Sequence, residues 1–120
     1  MSKKTLVIGA STNPERYSYK AIHKLIAHKH ETIPLGIKNG KVANLDILKG
    51  FPEIKNVHTI ALYINPDIQE QYYDYIIKLK PKRIIFNPGT ENSYLEKLAK
   101  ANNIEVIEGC TLVLLASNSY

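Results

Sequence analysis

The stretch Lys4-Thr5-Leu6-Val7-Ile8-Gly9-Ala10-Ser11-Thr12-Asn13-Pro14-Glu15-Arg16-Tyr17-Ser18 decides the fold. Its first part, Lys4 to Gly9, reads as a strand. Leu6-Val7-Ile8 is apolar on consecutive residues rather than alternating ones, as in a strand covered on both faces of a parallel sheet. Beyond the small polar loop, Tyr19, Ile22, Leu25 and Ile26 recur at three- and four-residue spacing. That spacing predicts a helix over Ser18 to Lys29, with Ser18 as its cap.

Working outward, the same alternation repeats. Further strands are expected over Thr32 to Ile37, His58 to Ile64, Arg83 to Phe86 and Ile104 to Ile107. Asn65-Pro66-Asp67 starts a second helix, with Asn65 as cap, Pro66 at the first helical position and Asp67 facing the helix dipole. Its inner stripe is expected to be Ile68, Tyr72, Ile76 and Leu79, and Pro81 ends it. Ser93-Tyr94-Leu95-Glu96 fits a capping box, opening a third helix that runs to about Ala101 and stops at Asn102-Asn103. Thr111 to Ser117 reads as a last short helix or a strand. Asn39-Gly40 is a tight-turn signal, and Lys41 to Leu48 returns as a short strand or an irregular loop. The expected fold is α/β: one Rossmann-like, doubly wound, mainly parallel five-stranded sheet over residues 1–120. Its expected strand order is 3-2-1-4-5, with helices on both faces.

With 120 residues, 44% of them hydrophobic and 22% charged, the chain has the size and composition of one globular domain. No apolar run approaches a membrane span, and the run Met1-Ser2-Lys3-Lys4 leads into a strand without a signal region. The single cysteine, Cys110, excludes an internal disulfide framework, so a cytoplasmic setting is expected. Sixteen Lys and Arg against eleven Asp and Glu give a net charge of +5. That surplus suits an anionic ligand, yet the lysines are scattered and form no nucleic-acid patch. No nucleic-acid or membrane partner is expected.

Ligands of an open parallel sheet bind beyond the carboxyl ends of its strands, where strand order reverses. The loop Gly9-Ala10-Ser11-Thr12-Asn13-Pro14 stands there. Gly9 permits close backbone approach, Ser11 and Thr12 offer hydroxyls, and the free amides of the following helix face an anion. Arg16 can pair with phosphate oxygens. With one glycine, the loop matches neither the dinucleotide fingerprint nor the P-loop, and a plain strand-to-helix turn is the alternative. The second strand ends in Pro34-Leu35-Gly36-Ile37-Lys38-Asn39, with a cation where NAD enzymes place an acid. Such an end suits a phosphorylated ribose, as in NADP or coenzyme A, or is an exposed lysine beside a turn.

The exits Ile64-Asn65-Pro66 and Asn87-Pro88-Gly89-Thr90 face the same edge and can hold ligand amides or simply turn the chain. Cys110, after Gly109, either faces the cleft or is buried filler. His23, His28, His30 and His58 have no metal-ligand spacing, no Gly-x-Ser-x-Gly elbow occurs, and no paired carboxylates stand out, so neither metal nor catalytic residues are assigned. Tyr72, Tyr73 and Tyr75 cover more than one helix face, either as core and surface residues or as a homodimer contact.

Gly9 to Ser18 resembles the opening of the small bacterial CoA-binding proteins, single Rossmann-like domains related to the nucleotide-binding domain of succinyl-CoA synthetase. The resemblance continues through Ile33-Pro34-Leu35-Gly36, Tyr63-Ile64-Asn65-Pro66, Phe86-Asn87-Pro88-Gly89-Thr90-Glu91 and Glu108-Gly109-Cys110, nearly the whole chain in order. It implies a coenzyme A site in which Gly9, Ser11, Thr12 and the amides near Ser18 hold the pyrophosphate, with Arg16 over a phosphate. Pro34, Gly36 and Lys38 would border the adenosine and its ribose phosphate. Asn65, Pro66, Asn87, Pro88 and Gly89 would line the pantetheine path, with Cys110 near its inner end. The synthetases act through a phosphorylated histidine in a separate domain, so catalysis is not implied here. The expectation is a non-catalytic module binding CoA or acyl-CoA, a sensor or carrier. The alternatives are a small NADP-linked oxidoreductase, a Cys110-dependent acyl-CoA enzyme, and a homodimeric interaction module.

Overall fold

The computed structural model describes residues 2–120; Met1, where the reading of the amino terminus begins, lies outside them. The strands are β1 (Thr5–Ile8), β2 (Thr32–Leu35), β3 (Lys41–Val42), β4 (Leu45–Asp46), β5 (Thr59–Leu62), β6 (Arg83–Phe86) and β7 (Glu105–Glu108). The helices are α1 (Tyr17–Ala27), α2 (Pro66–Gln69), α3 (Tyr73–Leu79), α4 (Ser93–Ala101) and α5 (Thr111–Ala116), with a 3-10 turn, Glu70–Tyr72, between α2 and α3. Each long strand falls inside or within one residue of its expected range, and the tail is helical.

Five strands form a wholly parallel sheet in the order β2-β1-β5-β6-β7. Side chains alternate across it. Leu6 and Ile8 join Ile60, Leu62, Ile84 and Phe86 on the face covered by α3 and α4, whereas Val7 and Ala61 join Ile22, Leu25 and Leu115 of α1 and α5. Helices on both faces explain the consecutive apolar runs. No helix among the described residues is long and apolar enough to cross a membrane.

The expected order 3-2-1-4-5 is corrected. Counted along the chain, the five long strands stand 2-1-3-4-5. The reason lies at Pro34. Its carbonyl accepts from Leu48 N–H at 2.9 Å on the outer side of β2, and its missing N–H faces the same way. The chain after β4 closes that edge through the bridge Leu35↔Leu48, and Gly36 N–H donates to Leu48 O at 2.9 Å. Another long strand finds no place there, so β5 pairs with the far side of β1. The connection itself holds the small antiparallel hairpin β3-β4, turned at Ala43 and Asn44, both with positive φ.

Two cap readings also change. Arg16, not Ser18, precedes α1, and Ser18 is buried in its first turn. Asn92, not Ser93, caps α4, its Oδ1 accepting from Tyr94 N–H at 3.1 Å and Leu95 N–H at 3.2 Å. Asn65 caps α2 as expected, accepting from Ile68 N–H at 3.0 Å. Ile68, placed by its spacing on the inner stripe, is 40% exposed, while Gln69 is fully buried.

Candidate functional site

With the order 2-1-3-4-5, strand order reverses between β1 and β5, and a ligand crevice is expected at their carboxyl ends. The Gly9–Pro14 loop leaves β1 there. Gly9 has φ +102, and a Cβ on it would meet Tyr63 and Ile64 at 3.1 Å. Only glycine passes so close to the end of β5. Gly9 and Ala10 N–H both donate to Leu35 O, at 2.9 and 3.0 Å, which ties the loop to β2. On that side a Cβ on Gly36 would stand 2.5 Å from Ala10 O, and one on Gly40 would stand 2.4 Å from Thr12 Cγ2.

Within the loop, Ser11 Oγ accepts from Asn13 N–H at 3.0 Å and Asn13 Oδ1 from Glu15 N–H at 2.9 Å. These turns deliver the chain to Arg16, which caps α1 with no side-chain hydrogen bond, and the first turn of α1 holds no acidic residue. An uncapped helix start presents amides and the positive end of the helix dipole, and this arrangement can receive an anion.

A cleft of about 810 Å³ opens over these features. Of the expected site residues, Gly9, Ala10, Ser11, Thr12, Arg16, Ser18, Gly36, Lys38 and Pro88 line it. Arg16 and Lys38 are exposed and in neither ion pair found among the described residues. The other site residues lie off the lining. Pro14, Pro66 and Gly89 are exposed in turns or helix starts, and Pro34 is buried within β2. Asn65 is committed to its cap. Asn87 is buried as a strut: its Nδ2 donates to Leu62 O at 3.0 Å, and its Oδ1 accepts from Thr111 N–H at 2.8 Å.

The sequence reading gave no site role to Tyr63, Ile68 and Tyr72, which join Ile64 and Thr90 of the two strand exits on the β5–β6 side of the cleft. Tyr63-Ile64 directly precedes Asn65-Pro66, so its place at a strand's carboxyl end was the available signal. Burial pushes the Tyr63 phenol up to about 12, partly offset by the neighbouring Thr111 hydroxyl. Neither hydroxyl has a partner in hydrogen-bonding geometry. Cys110 is half-buried at the start of α5, beside Tyr63 but off the cleft lining.

Among the described residues no three His, Cys, Asp or Glu side chains gather as a metal site requires. Of the three tyrosines read as core or dimer contact, Tyr72 is 6% exposed and packs in the core. Tyr73 OH accepts from Asn92 Nδ2 at 2.8 Å, and Tyr75 OH donates to Pro52 O at 2.5 Å.

Fold and cleft together define a doubly wound α/β domain with an anion-receptive loop at its switch point. The family model described as "CoA binding domain" matches residues 3–116, and the chain belongs to that family. A crystal structure of an uncharacterized protein is 48% identical, with a TM-score of 0.98 over 100% of this chain and 99% of that one. A hypothetical protein from Pyrococcus horikoshii OT3 is 20% identical, with a TM-score of 0.86 over 98% of this chain and 83% of that one. A Thermus thermophilus protein shares the fold at 16% identity, with a TM-score of 0.84 over 98% and 91% of the two chains. No curated protein matches the sequence.

Proposed function

We propose that this protein is a coenzyme A-binding module, acting as a sensor or carrier rather than a catalyst. The observation that carries the reading is the uncapped start of α1 beneath the Gly9–Pro14 loop, with Arg16 and Lys38 on the same cleft. Family membership supports the choice of ligand.

The donor set fits the group. Amides and hydroxyls of Gly9 to Thr12 and the first turn of α1 would hold the pyrophosphate, with Arg16 over it. Gly36 leaves room for the loop beside the adenosine, and Lys38 would pair with the ribose phosphate. The pantetheine arm would cross the ends of β5 and β6 past Tyr63 and Pro88. Asn65 and Asn87 would act there by holding backbone shape, since their side chains are committed. Among the described residues lining the cleft, the one carboxylate is Glu15, beside Arg16, which supports binding over acid–base chemistry.

Titration calorimetry with CoA and dephospho-CoA tests the reading. One-to-one binding is expected, weaker for dephospho-CoA by roughly tenfold or more, the worth of one charge-assisted contact. Lys38→Ala should erase the difference. Equal affinities in the wild type would remove the ribose-phosphate role, and no heat with either ligand would remove the site.

A further inference from the structure

We propose that the β5–β6 half of the cleft is an acyl subsite, and that the ligand is a CoA thioester carrying a neutral aliphatic chain. The inference rests on the coenzyme A reading above and names the ligand class within it.

The cleft divides by charge. Arg16, Lys38 and Glu15 all lie on the side of the β1 loop and the end of β2. The other side is lined by Tyr63, Ile64, Ile68, Tyr72, Pro88 and Thr90, none of them charged. Ile68 stands one helical turn before Tyr72, on the stripe that continues to the fully buried Ile76. The single turn of α2 follows the carboxyl end of β5 and lines the cleft, and the chain runs on through the 3-10 turn to α3, which covers the sheet. Ile76 is fully buried over the strands, Tyr72 is 6% exposed between that core and the cleft wall, and Ile68 lines the cleft and remains 40% exposed.

The helix cannot roll to bury it. Its neighbour Gln69 is locked inside, with Nε2 donating to Ile64 O at 2.8 Å and to Thr90 O at 2.7 Å. Oε1 of Gln69 also accepts from Asn92 Nδ2 at 2.9 Å. Ile68 is therefore held as apolar surface facing the space that continues from the phosphate end. Phe51, off the cleft lining and 56% exposed, packs on Tyr72 with ring centroids 5.4 Å apart. Pantetheine ends in a thiol, and what lies beyond the thiol in a thioester is the acyl chain.

Charge selects among acyl groups. Asp67 and Glu70, which bracket Ile68 and Gln69, are acidic and exposed, and no Lys or Arg lines this half. A chain ending in a carboxylate meets repulsion there and no counter-charge. An aliphatic chain meets Ile68 and Tyr72, and each methylene it removes from water adds affinity.

Titration of the wild type and of Ile68→Asp with CoA, hexanoyl-CoA and succinyl-CoA decides it. The wild type should bind hexanoyl-CoA about tenfold or more tighter than CoA, and succinyl-CoA no tighter than CoA. In Ile68→Asp the hexanoyl-to-CoA preference should collapse to under about threefold, the acyl gain being lost with the apolar contact. CoA binding without a hexanoyl gain, an equal gain for succinyl-CoA, or a preference that survives Ile68→Asp overturns the acyl subsite and leaves the coenzyme A reading standing. No binding of any of the three overturns both. Ile68 is exposed, so the variant is expected to fold, and the wild-type series is decisive without it.

Discussion

Gly36 shows how one missing methyl shapes the cleft. Its Cβ would stand 2.5 Å from a backbone oxygen, Ala10 O, and 3.0 Å from Ile47 Cγ2, so neither neighbour yields easily. Gly36→Ala should cost about 1–3 kcal/mol, lower the melting temperature by several degrees, and weaken CoA binding by displacing the loop. A variant with wild-type melting and affinity would mean that the loop is not clamped there. Asn87 sits on the same edge with the opposite task. Asn87→Ala leaves Leu62 O and Thr111 N–H unpaired in a buried place, at about 1–3 kcal/mol each. Urea unfolding should show a loss of that order, and a loss near zero would contradict the strut. Neither role was legible in the sequence. Gly36 and Asn87 were read as ligand-facing, and only the fold separates a residue that makes room from one that holds neighbours together.

At the scale of elements, the strands were legible because helices cover both faces and leave unbroken apolar runs. Strand order was less so, because the connection from Gly36 to His58 carries a hairpin where a helix would have signalled a regular crossover. Pro34 was the readable clue, a residue without a ladder donor that belongs at a sheet edge. The start of α4 misled for a different reason. Asn92 and Ser93 are both good cap residues, and the extended backbone of Asn92, φ −150 and ψ 101, decides between them. Asn92→Ala should therefore cost about 1–2 kcal/mol, and more through the lost bonds to Gln69 and Tyr73, while Ser93→Ala should stay within about 0.5 kcal/mol. Thermal melts reporting the reverse order would restore Ser93 as the cap. The apolar half of the cleft was half-read: the spacing placed Ile68 and Tyr72 on one stripe, but only the place of α2 after the carboxyl end of β5 turns Ile68 into cleft lining.

Across the whole molecule, the two edges of the sheet carry different chemistry. At the amino-terminal edge Arg83 is buried, its guanidinium 4.3 Å from the centre of the Tyr120 ring. Its Nε donates to Thr59 Oγ1 at 2.7 Å, and the same hydroxyl lies 2.8 Å from His58 Nδ1. His30 Nδ1 accepts from Lys3 N–H at 2.9 Å. The surroundings of both histidines favour the neutral ring. Burial, then Arg83, Lys3 and Lys82, lowers His58, and burial, then Lys3 and His28, lowers His30. Above the unfolded value near 6.5 neither state takes the proton and stability is flat. Below it the unfolded chain binds protons first, so stability should fall until pH passes the lower folded values. Urea midpoints across that range should show the fall in the wild type and a shallower one in His30→Gln/His58→Gln; identical profiles would contradict the assignment. The carboxyl-terminal edge is the proposed ligand edge, and an amide-resolved NMR titration with CoA is its sharpest test. Shifts are expected at Gly9 to Ser18 and Gly36 to Lys38, continuing to Tyr63 and Ile64. Shifts confined to the opposite edge around Lys78 to Lys82, or none at saturating CoA, would contradict it.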